Sequence, residues 1–198
     1  SQGLLDRARE LGLDRAGLEV VYPPVAEAFT WHDRDAQQRA RAALGITASC
    51  LLVNVKRLHP LAGQRHLVEA MPEVLRAHPD TRLVVCGTGP LAEELRALAE
   101  RLGLGGHITF AGLVDNHVVA RYVAAADAFV LPSLLEAGPT VALEALASGT
   151  PVVSSDNPGG VELRGLFGDD VRVVPKEDPA RLAAAIVEAL DRPRRAAD

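Results

Sequence analysis

Short apolar runs alternate along the chain with longer stretches in which apolar positions recur every three or four residues. The short runs predict strands at 18–22, 51–55, 82–86, 108–110, 128–131, 151–154 and 171–174. The longer stretches predict helices at 33–44, 64–77, 90–101, 116–125, 139–148, 160–166 and 179–191, with a short amphipathic helix in residues 1–14 ahead of them. A strand apolar on both faces must be covered on both faces, and regular strand–helix alternation covers it with helices. The expected fold is therefore α/β, a mainly parallel, doubly wound sheet. The loops are short and carry Gly, Pro, Asp or Asn, so no second boundary is expected between residues 18 and 191. Residues 192–198 read as a tail.

Ligands of such sheets gather outside the carboxyl ends of the strands. The residues that invite chemistry fall there: Lys56 and Arg57 after the second run, Gly87-Thr88-Gly89-Pro90 after the third, Gly112-Leu113-Val114 after the fourth, and 133–140 after the fifth. Gly87-Thr88-Gly89-Pro90 lacks the third glycine and downstream acid of a dinucleotide fingerprint, and no Lys-Ser/Thr follows to make a phosphate loop. It reads equally as a tight turn and as a place where a phosphate or ribose meets bare backbone.

The densest stretch is Pro132-Ser133-Leu134-Leu135-Glu136-Ala137-Gly138-Pro139-Thr140-Val141-Ala142-Leu143-Glu144-Ala145. Pro139 suits a first helical position, and Gly149 lies just past the expected end. The helix mouth should leave the amides of Gly138, Thr140 and Val141 unpaired, and these together with the macrodipole favour a phosphate. Glu136 falls in the turn ahead of the helix and Glu144 inside it. Ionised carboxylates only accept hydrogen bonds, so they suit hydroxyl donors rather than phosphate. Phosphate donors flanked by hydroxyl acceptors describe a nucleotide-sugar site, against the plainer reading that both glutamates are solvated.

In order, Pro132-Ser133, Glu136, Gly138-Pro139, Glu144-Ala145, Gly149-Thr150-Pro151-Val152-Val153 and Gly159-Gly160 form a set that resembles family 4 retaining glycosyltransferases of GT-B architecture. Upstream, Leu83-Val84-Val85-Cys86-Gly87-Thr88-Gly89-Pro90 and Ile108-Thr109-Phe110-Ala111-Gly112-Leu113-Val114 are similar to two further family segments. The resemblance runs from about Val20 to Leu190. It implies a Rossmann-like, donor-binding C-terminal domain, with residues 1–17 as a linker or helix belonging to an N-terminal acceptor-binding half.

What the resemblance implies for residues is specific. Arg57 matches an arginine that contacts the donor diphosphate, and Lys56, Gly87, Gly89, Gly138, Pro139, Thr140 and Val141 fall around it. Glu144 corresponds to a residue on the ribose hydroxyls, Glu136 to one on a donor-sugar hydroxyl, and the backbone of Leu113 and Val114 to contacts with the base. Glu136 and Arg57 would be the catalytic pair, with front-face attack assisted by the leaving group preferred over a Glu136 nucleophile. The segment Arg57-Leu58-His59-Pro60-Leu61-Ala62-Gly63 departs from the family, since Ala62 stands where a lysine is usual. Lys56 or Arg65 is then expected to supply the second cation.

Charge and composition narrow the partners. A net charge of −5 and 4% aromatic residues argue against a nucleic-acid surface. No apolar run reaches the roughly 18 residues of a spanning helix, so the expectation is a soluble cytoplasmic domain, with any membrane-surface contact left to the other half. Cys50 and Cys86 have neither metal-site spacing nor a close partner. No Asp-x-Asp element offers oxygen ligands, so no cofactor and no metal is expected beyond a nucleoside-diphosphate sugar, UDP-linked or otherwise. His59 reads as a loop residue, and Asp127 and Asp156 as strand-boundary residues. The alternatives are a nucleotide-sugar 2-epimerase, an inactive nucleotide-sugar-binding module marked by Ala62, and a flavodoxin-like regulatory domain without nucleotide affinity.

Overall fold

The computed structural model describes residues 1–13, 17–136 and 138–192; the expected tail beyond Arg192, and Asp14, lie outside the described residues. The elements in chain order are α1 (Gln2–Glu10), α2 (Arg34–Ala43), β1 (Cys50–Val55), α3 (Gln64–Ala77), β2 (Thr81–Cys86), α4 (Ala92–Arg101) and β3 (Ile108–Gly112). They continue as α5 (Asn116–Ala125), β4 (Ala128–Leu131), α6 (Thr140–Ala147), β5 (Val152–Ser155), α7 (Pro158–Phe167), β6 (Val171–Val174) and α8 (Pro179–Leu190). The six strands form one parallel sheet in the order β3-β2-β1-β4-β5-β6. The winding reverses between β1 and β4.

Alternation within each strand explains the two cores. Leu52, Leu83, Val85, Val130 and Val153 face α3, α4 and α8, where Leu67, Met71, Leu95 and Ile186 meet them. Leu51, Val53, Val84, Phe129, Leu131 and Val152 face the other way, onto Val119 and Val123 of α5, Ala142 and Ala145 of α6, and Leu163 of α7. Both faces are covered, which is why the strands read as continuous apolar runs. Each fully buried aliphatic or aromatic side chain contributes about 1.5–3 kcal/mol relative to exposure.

Caps set the helix starts. Asp33, Asn157 and Asp178 accept from the amides of Ala36, Gly160 and Arg181 at 2.7, 2.9 and 2.9 Å. The Asn157 cap followed by Pro158 starts α7 two residues ahead of the Gly160 start expected from the sequence, because Asn-Pro is itself a helix-start signal. The turn after β2 delays α4 from Pro90 to Ala92.

One expected strand does not form. Residues 18–22 are irregular, with Leu18, Val21 and Tyr22 exposed at 41%, 77% and 41%. β-branched composition makes a strand only where a sheet edge receives it, and among the described residues no strand pairs with this segment. The segment runs along α7 instead, where the Tyr22 hydroxyl donates to Glu162, and the Gln2 amide donates to the same carboxylate at 2.8 Å.

Candidate functional site

Four loops leave the carboxyl ends of β1, β2, β3 and β4 and enclose a cleft of about 670 Å³. Its construction begins with backbone. Past the end of the strands, the Lys56 amide donates to Cys86 O and the Leu58 amide to Thr88 O, both at 3.0 Å, and the Gly87 amide donates to Gly112 O at 2.7 Å. The first two loops therefore run side by side with no room for side chains between them. A Cβ at Gly87 would lie 2.1 Å from Lys56 O, and one at Gly89 would lie 2.2 Å from Leu58 O. Gly87 also has φ +138°, a region open to glycine. These glycines are first of all what lets the loops pack, and that packing aims Lys56 and Arg57 into the cleft.

The fourth wall is held from below. The Gly159 amide at the start of α7 donates to Glu136 O at 2.9 Å. Asn157 Nδ2 donates to Ser133 O at 2.8 Å, and the Ser155 hydroxyl donates to the same oxygen. Leu134 N donates to Leu61 O at 2.8 Å, tying this loop to the turn after β1. Sequence reasoning missed Ser155 and Asn157 as supports of the site. The available signal was their place beside Gly159-Gly160, where a Cβ at Gly160 would lie 2.2 Å from Ser155 O.

All the residues predicted for the site except Glu144 line this cleft: Lys56, Arg57, Gly87, Gly89, Leu113, Val114, Glu136, Gly138, Pro139, Thr140 and Val141. Cys86, Thr88 and Val119 join them. Glu144 sits one turn into α6, on the helix face that Thr140 and Val141 begin, and is 8% exposed. Burial pushes its carboxyl above the usual range. It is thus neither the solvated helix residue of the plain reading nor a wall of the open cleft. Burial likewise pushes the Cys86 thiol up to about 11, so it stands in the cleft as a neutral apolar group.

The helix mouth differs in one respect from expectation. The Thr140 amide donates to Gly138 O at 3.0 Å, because the chain turns tightly through Pro139 before α6 begins. Of the three amides expected at the mouth, that leaves those of Gly138 and Val141 without a partner among the described residues.

The charges also sort themselves. Lys56 is ion-paired with Glu136 inside the cleft. The Arg57 side chain has no hydrogen-bond or salt-bridge partner among the described residues. Arg65 does not reach the cleft: its guanidinium is engaged by Glu94, with Glu69 3.5 Å away, and it is not a second cation for a ligand there. Ala62 is 3% exposed and adds no charge. His59 caps the turn at Pro60–Ala62 by accepting from the Leu61 amide at 3.3 Å. Asp156 accepts from the Lys176 amide at 3.0 Å, as a strand-boundary residue should.

The parallel sheet, its switch between β1 and β4, and a cleft bearing Lys56 and Arg57 at that switch define an α/β domain whose cleft lies where such sheets bind their ligands. Residues 36–198 match the family described as Glycosyl transferases group 1, and the chain belongs to that family. Its sheet is the Rossmann-like fold of a GT-B glycosyltransferase domain.

Relatives agree. The GDP-mannose-dependent alpha-(1-6)-phosphatidylinositol monomannoside mannosyltransferase of Mycolicibacterium smegmatis is 34% identical over 189 residues, 92% of this chain and 49% of the relative. The D-inositol 3-phosphate glycosyltransferase of Acidothermus cellulolyticus is 37% identical over 182 residues, 86% of this chain and 40% of the relative. Among solved structures, sucrose-phosphate synthase from Thermosynechococcus elongatus superposes with a TM-score of 0.76 at 30% identity, covering 94% of this chain and 47% of that one. The chain spans about half or less of the length of the curated relatives it matches. Among the described residues no helix is long and apolar enough to cross a membrane.

Proposed function

We propose that this chain binds the donor in a glycosyltransferase that moves a hexosyl group from a nucleoside-diphosphate sugar to a hydroxyl acceptor, with retention at the anomeric carbon. The observation that carries the reading is the cleft at the switch point, where Arg57, Lys56 and the Gly138 and Val141 amides converge opposite Glu136. Arg57 and the amides hold the diphosphate and offset the charge that develops on it as it leaves. Glu136 accepts from a hydroxyl of the donor sugar, and the backbone at Leu113 and Val114 meets the base. Glu144 accepts from the ribose; its burial is consistent with a carboxylate that a ligand, rather than water, is meant to satisfy. The acceptor is held by an N-terminal half of the same protein.

Titration calorimetry with UDP, GDP and ADP, repeated on Glu144→Ala, tests this. Binding of one nucleotide that weakens in the variant is the expected result and names the base. Binding unchanged in the variant would remove Glu144 from the site, and absence of all binding would remove the donor role.

A further inference from the structure

The Lys56–Glu136 ion pair is an unusual occupant for a site meant to take a diphosphate. Among the described residues lining the cleft, Lys56 and Arg57 are the cations and Glu136 the carboxylate. With the pair closed, one of the two cations is already spent and the carboxylate is masked.

The partners are held differently. Glu136 is the more buried side chain, 12% exposed, and its backbone is pinned through its carbonyl to the Gly159 amide. Lys56 is 31% exposed and ends a flexible four-carbon stem, with an ammonium that carries three donors. Of the two, Lys56 is the one free to move. A diphosphate entering between Arg57 and the α6 mouth presents more negative charge to that ammonium than one carboxylate does.

Resting on the donor-site reading above, we infer that Lys56 is an exchanging cation: it is parked on Glu136 in the empty cleft, transfers to the diphosphate when donor binds, and thereby unmasks Glu136 for the sugar. Phosphate capture and sugar recognition are then coupled through one side chain. A bare nucleoside diphosphate works against the existing pair, and a hexose is read only once that pair has opened.

A double-mutant cycle tests the exchange, using whichever of UDP, GDP and ADP the unmodified chain binds most tightly. Lys56→Met should weaken binding about tenfold or more, as loss of a charge-assisted contact does. Glu136→Gln should tighten it about fivefold, because Lys56 is released, and the gain should shrink clearly in the Lys56→Met background. An equal or larger gain in that background would mean that Glu136 merely repels phosphate and that Lys56 does not change partners, overturning the exchange. So would a neutral Lys56→Met, or a neutral Lys56→Gln should the Met variant fail to melt cooperatively. For the unmasking, the matching nucleotide sugar should outbind the bare diphosphate only while Glu136 is a carboxylate, and a preference that persists in Glu136→Gln overturns it. Loss of all nucleotide binding by the unmodified chain would instead overturn the donor-site reading, and the exchange with it.

Discussion

The two ends of the sheet are built from the same strands and treat their polar groups in opposite ways. At the amino end, Asp127 accepts from Arg41, from Gln37 at 3.1 Å and from the Leu51 amide at 2.7 Å. Arg41 also donates to the carbonyls of Ala125 and Ser49, at 2.9 and 3.0 Å. Its side chain is 7% exposed, and every one of these contacts is internal. The cavity there, over Trp31 and Gly149, is about 200 Å³, against about 670 Å³ at the carboxyl end. At the carboxyl end Lys56 pairs with Glu136, the Arg57 side chain has no hydrogen-bond or salt-bridge partner among the described residues, and burial raises the Glu144 carboxyl above its ordinary range. The contrast lies within one layer: at the amino end charges satisfy one another and hold α2 on the sheet, and at the carboxyl end the Lys56–Glu136 pair stands beside an unpaired Arg57.

The sharpest way to break this contrast is to damage the closed end. Arg41→Ala leaves Asp127 short of its charge partner and should cost about 3 kcal/mol in urea unfolding, while the surviving folded protein keeps its nucleotide affinity. A matching fall in affinity would show the two ends to be one unit. Gly89→Ala, which drives a Cβ into Leu58 O, should cost about 2 kcal/mol and also weaken nucleotide binding, since it spreads the two loops that aim Arg57. Arg57→Ala should reverse that pattern, with melting unchanged and nucleotide affinity lowered by about 2 kcal/mol in calorimetry.

Glu144→Gln should give the smallest effect and a sign that is easily read. Its folded-state pKa is raised, so the native state binds the proton more tightly than the unfolded chain, and stability falls as pH rises through that range. The Gln variant should therefore gain stability relative to the parent between acidic and neutral pH in melts followed by circular dichroism. A difference that does not change with pH would place the carboxylate in water.

Much of this was legible in the sequence because period and punctuation agree there. β1, α3, α5, β4 and β6 follow from apolar runs and periodic stretches bounded by Gly, Pro or Asp, and the cleft follows from four motifs that each fall after a strand. What failed did so where a partner outside the local window decides. Residues 18–22 have strand composition but join neither edge of the sheet, β3 or β6. Arg65 lies near the right loop in sequence, yet Glu94 claims it from the next helix. The Lys56–Glu136 pair joins residues far apart in the chain, and no spacing rule reaches that far. Glu144's burial depends on how α6 lies against the sheet, which helical periodicity alone does not give.

The switch between β1 and β4 also governs time. Leu52 pairs with Ala128 across a chain segment that holds two strands, β2 and β3, both on the other side of β1, and the helices between them. Closing that long loop is the costliest step for the chain's entropy, and parallel pairing of distant strands is slow for the same reason. The half of the sheet from β1 to β3 can form from nearer neighbours, but it lacks the wall that Glu136 and Gly138 to Val141 supply after β4. The cleft is complete only once β4 has docked on β1, so ligand capture by a refolding chain should report that docking rather than the initial collapse.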